Sequence, residues 1–220
     1  MTAMQSAAPR RQLATRSAAG PKALAHCLAS AGVTPNAVSV MSVVVAASAA
    51  AAFALAPRLQ PTGRAAALIV AAAGIQVRLL CNLLDGMLAV EEGLKTTTGD
   101  IYNDLPDRVA DVAILVGAGY STGDLAYGPV LGWIAALLAV FTAYVRVLGG
   151  SLGLTQHFAG PMAKQHRMFT LTLTTLLAAI ETFLGLPPRV MVAGLLTIAA
   201  GSLATVVRRT SRILDEAGRR

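Results

Sequence analysis

Residues 82–111 read NLLDGMLAVEEGLKTTTGDIYNDLPDRVAD and lie between long apolar segments. This stretch contains seven of the eleven acidic residues of the protein. Carboxylates are costly beside lipid, so a group of them in an apolar chain is a candidate functional site. The apolar segments on either side of it indicate the class of fold.

The composition is that of a membrane protein. Of the 220 residues, 55% are hydrophobic and 13% are charged, and the mean hydropathy is +0.63. These values lie outside the range of ordinary soluble proteins. They predict an all-α integral membrane protein with no separate soluble module.

Six segments are predicted to form transmembrane helices. The first has no charged residue over 21 positions, which is enough to cross a hydrocarbon core of roughly 30 Å. The six predicted spans are 37–57, 65–90, 99–120, 126–149, 168–186 and 190–207. Together they define a membrane domain over residues 21–208.

The two ends of the chain are basic. Residues 1–20 are low in large apolar groups, and we expect a disordered tail. Residues 21–33 are compatible with a short amphipathic helix on the membrane surface or with a solvated basic tail. Residues 209–220 are expected to form a second basic tail.

The distribution of basic residues predicts the orientation. Fourteen of the eighteen Lys and Arg residues lie in the two ends, the acidic stretch and residues 146–167. By the positive-inside rule, we expect both termini and the acidic stretch to lie in the cytoplasm. The membrane is expected to be a bacterial inner membrane. The basic residues are not interleaved with aromatic ones, so we expect no nucleic-acid partner.

Helical spacing places the polar residues of the stretch on two stripes. One face of the second span carries Arg78, Asn82, Asp85 and Ala89, and one face of the third carries Asn103, Asp107 and Asp111. If the two helices meet in antiparallel orientation, their oxygen atoms converge. Such oxygens suit Mg²⁺ or Mn²⁺, which use substrate phosphates as further ligands. A metal-bridged phosphate site is the prediction.

The spacing resembles the signature of the CDP-alcohol phosphotransferase family, D-x-x-D-G-x-x-A-R, eight residues, then G-x-x-x-D-x-x-x-D. Five of the eight fixed positions match at the right gaps. The matching positions are Asp85, Gly86, Ala89, Gly99 and Asp107. The differing positions are Asn82, Val90 and Asn103. The Thr-Pro-Asn that ends at Asn36 is also similar to the opening of the first span in this family.

The resemblance implies that the four Asp positions bind two divalent ions holding the diphosphate of a CDP-linked lipid. The last of them, Asp107, is implied as the base. Two of the four are amides here, which is similar to a branch of the family with an Arg before the first Asn and an extra Asp one turn after the last. The implied metal ligands are Asn82, Asp85, Asn103, Asp104, Asp107 and Asp111. The implied CDP and phosphate contacts are Asn36, Arg78, Gly86, Ala89 and Gly99.

The implied reaction moves a phosphatidyl group from CDP-diacylglycerol to the hydroxyl of a small alcohol and releases CMP. In this family the alcohol is often phosphorylated, and Arg146, Lys164 and Arg167 could hold it. Glycerol 3-phosphate is the first acceptor to test, and inositol phosphate is the second. The resemblance also implies a homodimer.

Two other functions stay open on the sequence. The Asn substitutions could mark a catalytically weakened relative that binds a nucleotide-lipid or a partner protein. A small transporter would use Arg78 and Glu181 as pathway residues, although no inverted repeat is visible. Glu181, near the middle of the fifth span, needs a partner or a polar cavity.

Overall fold

The computed structural model describes residues 19–123, 125–158, 160–187 and 189–219, which form seven α-helices. They are α1 (Ala19–Ser30), α2 (Pro35–Leu55), α3 (Pro61–Val90), α4 (Gly99–Tyr120), α5 (Tyr127–Ser151), α6 (Lys164–Phe183) and α7 (Arg189–Ala217), with a 3₁₀ turn at Ala56–Arg58. The predicted helical class is confirmed, and residues 1–18 of the predicted disordered tail lie outside the described part of the chain.

Local sequence signals explain where the first long helix begins. Gly32 adopts a positive φ of 73° in the turn after α1, a conformation that glycine tolerates. The Thr34 hydroxyl then accepts a hydrogen bond from the Ala37 N–H at 3.2 Å, and Pro35 occupies the first helical position. Both are standard helix-start features, since proline needs no N–H partner there.

Six of the helices form a closed ring in the order α2, α3, α6, α7, α5 and α4. Alanine is frequent in the core between them, together with Phe53, Ile75, Ile114 and Leu195. Many large apolar side chains are exposed on the outside, among them Val70, Trp133 and Leu137. An apolar outer surface on a closed ring fits a protein surrounded by lipid.

Within the described part of the chain, four helices are long and apolar enough to cross a membrane: α2 with its 3₁₀ turn, α3, α5 and α7. The predicted class of integral membrane protein is therefore confirmed. The count of six spans includes α4 and α6, whose first turns are charged, and it stays a prediction.

Helix boundaries agree with the predicted spans to within three residues except at three ends. Helices α3 and α6 begin at Pro61 and Lys164, each about one turn before the predicted start. Helix α7 continues to Ala217, so most of the predicted basic tail is helical in the structure. At the other end of the chain, α1 packs on α3 through Ala25, Leu84 and Leu88.

The closest helix contacts lie away from the acidic stretch. A Cβ atom on Gly119 would lie 2.7 Å from the Gly128 carbonyl oxygen and 2.9 Å from Gly132 Cα, because α4 and α5 almost touch there. By contrast, α3 and α4 make few contacts, and α4 packs mainly on α2 and α5. The polar stripes of α3 and α4 therefore meet through their side chains and not through close backbone contact.

Glu181 has a structural partner. Its Oε1 atom accepts hydrogen bonds from the backbone N–H groups of Arg189 at 3.0 Å and Val190 at 3.2 Å. These N–H groups begin α7 and have no acceptor within their own helix. A carboxylate at a helix N-terminus is also favoured by the helix dipole, so this contact accounts for a buried Glu181.

Replacement of Gly119 by alanine tests the close contact of α4 and α5. Alanine stabilises a helix by about 1 kcal/mol relative to glycine, but overpacking here should cost about 1–3 kcal/mol because backbone atoms must move. We expect Gly119→Ala to lower the unfolding temperature in detergent. Gly20→Ala, where no atom lies within 4 Å of the new Cβ, is the matched control and should not lower it. Equal unfolding temperatures for the two variants would contradict the packing described.

Candidate functional site

Polar ends of the ring helices meet at one end of the protein. The site is built from the start of α2, the end of α3, the start of α4, the end of α5 and the start of α6. An up-and-down order of helices puts these ends on one side. The charged side chains near these helix ends therefore share a single region.

Asp111 joins three helices at the bottom of this region. Its Oδ1 atom accepts a hydrogen bond from Arg78 Nη2 on α3, and its Oδ2 atom accepts one from Arg167 Nη2 on α6, both at 2.7 Å. Arg78 and Asp111 are 0% exposed and Arg167 is 1% exposed. Both oxygens of Asp111 are thus paired with guanidinium groups.

Asp107 lies one turn away and is surrounded by donors. Its Oδ1 atom accepts from Arg78 Nη2 at 3.1 Å and from Asn82 Nδ2, while its Oδ2 atom contacts Lys164 Nζ. Arg108 Nη2 lies 3.6 Å from the same Oδ2 atom. The orientation of the Asn82 amide follows from this contact, since its oxygen would repel the carboxylate.

Lys164 precedes the predicted fifth span. Burial lowers the pKa of its ammonium group, and the nearby Arg78 guanidinium lowers it further. The carboxylates of Asp107 and Asp111 act in the opposite direction. Lys164 therefore belongs to the charge network and is not a free cation at the membrane edge.

Two buried oxygens at the site have no hydrogen-bond donor among the described residues: Asn82 Oδ1 and Asp85 Oδ1. The other Asp85 oxygen, Oδ2, accepts from the Ser39 hydroxyl at 2.7 Å. Unpaired buried acceptors are costly, and a divalent cation would satisfy them. Residues 82 and 85 share a face of α3, so these two oxygens fit one ion.

No group of three His, Cys, Asp or Glu side chains in the described ranges is arranged to hold a metal ion. An ion at this site would therefore need the Asn82 amide oxygen, water and substrate oxygens in addition to Asp85. Mg²⁺ and Mn²⁺ accept such mixed oxygen ligands.

A second ion-paired group forms the rim. Asp104 Oδ1 accepts from Arg146 Nη2 at 2.9 Å and from Arg108 Nη2 at 3.3 Å. The Arg146 guanidinium also lies over the ring of Phe158, 5.3 Å from its centroid. Asp104, predicted as a metal ligand, is placed with two arginines of α4 and α5.

The other residues predicted from the sequence are at the periphery of this network. Asn36 Nδ2 donates to Thr96 Oγ1 at 3.5 Å, which links α2 to the loop before α4. Gly86, Ala89 and Gly99 are partly buried along α3 and α4, and Asn103 is exposed. Their predicted roles in binding stay predictions.

Sequence reasoning missed Ser39 and Arg209. Ser39 lies three residues after Asn36, on the turn of α2 that faces Asp85. This spacing puts Ser39 on the same helix face as Asn36 and could have identified it from the sequence. Arg209 was assigned to a solvated tail, but it is buried and its Nη2 atom donates to the Phe158 carbonyl oxygen at 2.9 Å. The continuation of α7 places it beside the loop between α5 and α6.

An open groove with a volume of about 360 Å³ lies beside the site, between α2 and the start of α4. Its wall on α2 is apolar, with Val40, Met41 and Val44, and Asn36 and Tyr102 add polar groups. Such a lining suits an apolar chain attached to a polar head group.

The site as a whole has more cations than carboxylates. Arg78, Arg108, Arg146, Lys164 and Arg167 face Asp85, Asp104, Asp107 and Asp111. The Nε and Nη1 atoms of Arg78 and Arg167 are buried without acceptors in the part of the chain that the structure describes. This arrangement can bind an anion with several oxygens, such as a phosphate group.

Solved structures with the same fold are phosphatidylinositol phosphate synthases of Mycobacterium tuberculosis. The form with CDP-DAG bound has a TM-score of 0.73 and 20% identity, over 89% of this chain and 94% of that chain. The form with manganese and citrate has a TM-score of 0.72 and 20% identity, over 88% of each chain. The apo form has a TM-score of 0.69.

These likenesses confirm, at the level of the fold, the resemblance to CDP-alcohol phosphotransferases. No protein-family model and no curated protein sequence matches the chain.

Replacement of Asp111 by alanine tests the buried ion pairs. The change leaves Arg78 and Arg167 buried without their shared counter-ion, which typically costs about 3–5 kcal/mol. We expect a large fall in the unfolding temperature in detergent. Asp215→Ala, at an exposed position of α7, is the control and should have little effect. If both variants unfold at the wild-type temperature, the network does not stabilise the helix arrangement.

Proposed function

We propose that the protein is a membrane-bound CDP-alcohol phosphatidyltransferase. It would transfer the phosphatidyl group of CDP-diacylglycerol to the hydroxyl of a small phosphorylated alcohol and release CMP. One observation carries the proposal: Asn82 and Asp85 of α3 and Asp107 of α4, three positions of the family motif, meet at the cation-lined end of the ring. The shared fold with a synthase that binds CDP-DAG supports it.

We place all six ring helices across a bacterial inner membrane, with both termini and the site in the cytoplasm. The excess of Lys and Arg at the site end supports this orientation. The charged first turns of α4 and α6 would then lie at the level of the lipid head groups. Homodimerisation is part of the proposal through the family resemblance.

The donor lipid is proposed to enter from the side, between α2 and α4. The apolar wall of the groove there would contact an acyl chain, and Asn36 and Tyr102 would lie near the head group. Gly86, Ala89 and Gly99 would leave room for the CDP moiety. Arg78, a predicted phosphate contact, is buried beneath the site and would favour the diphosphate through its charge.

A bound Mg²⁺ or Mn²⁺ ion would neutralise diphosphate charge and stabilise the leaving CMP. Asn82 and Asp85 would hold it. The new bond joins the acceptor oxygen to the lipid-linked phosphorus, and the bond that breaks joins this phosphorus to the oxygen kept by CMP.

Asp107 is the proposed base that takes the proton of the acceptor hydroxyl. Lys164 contacts the carboxylate of Asp107 directly, and Arg167 and Arg146 lie in the same charged region. A phosphorylated acceptor held by these three cations would therefore have its hydroxyl beside the base. Glycerol 3-phosphate and inositol phosphate both have the required chemistry.

One observation favours a second candidate, a weakened relative that binds a nucleotide-lipid without efficient turnover. Two motif carboxylates are replaced by Asn82 and Asn103, and the remaining Asp107 is paired with cations on both oxygens. The double replacement described below separates the two candidates.

CMP release from CDP-diacylglycerol tests the main proposal. Purified protein with Mg²⁺ or Mn²⁺ should release CMP with at least one phosphorylated alcohol, and mass spectrometry should identify the matching lipid. Asp85→Asn should lower the rate by more than about 100-fold, because it removes the only carboxylate proposed to hold the ion, and even loss of an outer-shell partner typically costs about 10- to 100-fold. Asp215→Asn should leave the rate unchanged. If no alcohol in the panel supports CMP release, the proposed activity is wrong.

The double variant Asn82→Asp with Asn103→Asp distinguishes an adapted site from a weakened one. In an adapted site, two added carboxylates disturb the existing pairs with Lys164 and Arg78, and kcat should fall. A weakened site should instead gain activity when the family pattern is restored. A rise in kcat of about 10-fold or more would favour the second candidate.

A further inference from the structure

We infer that the site binds one divalent ion per chain, and that Lys164 and Arg78 supply the positive charge that a second ion gives in the family pattern. This inference rests on the proposed function and assigns the number of ions at the same site. It removes Asn103, Asp104, Asp107 and Asp111 from the metal ligands that the resemblance implies and keeps Asn82 and Asp85. Three observations support it: the contacts of Asp107, the net charge of the site, and the buried oxygens that have no donor among the described residues.

Both oxygens of Asp107 already contact donors of the protein. Its Oδ1 atom accepts from Arg78 Nη2 and Asn82 Nδ2, and its Oδ2 atom contacts the Lys164 ammonium. A divalent cation at this carboxylate would lie directly beside an ammonium and a guanidinium group. Like charges at such distances repel strongly in a partly buried site. The second ion of the family pattern is therefore replaced by side-chain cations of the protein.

The charge of the site favours one ion over two. Its five cations and four carboxylates leave one net positive charge before any ion binds. One divalent ion added to this set is matched by the two negative charges of a CDP-lipid diphosphate. A second divalent ion would leave two more uncompensated positive charges at the site.

The free oxygens fit a single ion. Asn82 Oδ1 and Asp85 Oδ1 are buried, lie on one face of α3 and have no donor among the described residues. Asp104 and Asp111, which the resemblance adds as ligands, are paired with arginines instead. Asn103 is exposed and neutral. One ion on Asn82 and Asp85, completed by water and phosphate oxygens, uses the free groups and no others.

The test is the number of Mn²⁺ ions bound by the purified full-length protein in detergent with CDP present. Electron paramagnetic resonance of free Mn²⁺ gives the stoichiometry, and the bound spectrum reports whether two ions are coupled. We expect one ion per chain with an uncoupled spectrum, and loss of this ion in Asp85→Asn. Two ions per chain, a coupled spectrum or no bound ion would each overturn the inference.

A triple variant tests the cause. Asn82→Asp, Asn103→Asp and Lys164→Ala together restore the four carboxylates and remove the ammonium, and this protein should bind a second Mn²⁺ ion. Lys95→Ala removes an exposed lysine in the loop between α3 and α4 and should still bind one. A folded triple variant with one ion would show that Lys164 and the two amides do not set the number. If the triple variant fails to fold, the wild-type stoichiometry decides.

The binding test and the activity test fail independently. One Mn²⁺ ion with no CMP release from any acceptor would leave the ion count standing and reject the proposed activity. CMP release with two bound ions would support the activity and reject the single-ion site.

Discussion

The pairing of Asp111 with Arg78 and Arg167 is the interaction on which the rest of the site depends. Two guanidinium groups are buried at the end of the helix ring, and burial of a charge is costly unless it is paired and hydrogen-bonded. Asp111 offers one oxygen to each arginine, at 2.7 Å. The pairs fix α3, α4 and α6 relative to one another, because a shift of any of the three helices would leave a buried charge alone. They also hold Arg78 where it reaches Asp107.

The packing of the ring creates the space that this network occupies. Helix α4 approaches α5 at Gly119 and Gly132, and it approaches α2 at Gly117, where a Cβ would lie 2.8 Å from Ala50 Cα. With α4 packed on α5 and α2, its backbone makes few contacts with α3, and the polar stripes of the two helices meet through their side chains. Lys164 and Arg167 of α6 complete the charge network. The position of this network thus follows from where the small residues are placed.

Much of the fold could be predicted from the sequence, since uninterrupted apolar segments and Pro or Gly at their ends have few other interpretations. Asp104, an implied metal ligand, instead pairs with Arg108 four residues later, a spacing that is visible in the sequence. The contacts of Lys164 and Arg167 with Asp107 and Asp111 could not be predicted, because they join residues more than fifty positions apart. The helical course of α7 beyond its apolar part was also missed, and with it the burial of Arg209.

We propose that the diphosphate of a CDP-lipid binds at this charged end of the ring. An experimental structure of the protein with Mn²⁺ and CDP-diacylglycerol tests it most directly. We expect the diphosphate beside Asn82 and Asp85, above the buried Arg78, with an acyl chain along the α2 side of the groove near Val40. A diphosphate bound elsewhere on the protein, with the Asp107 and Asp111 pairs undisturbed and Asp85 distant from it, would contradict the account.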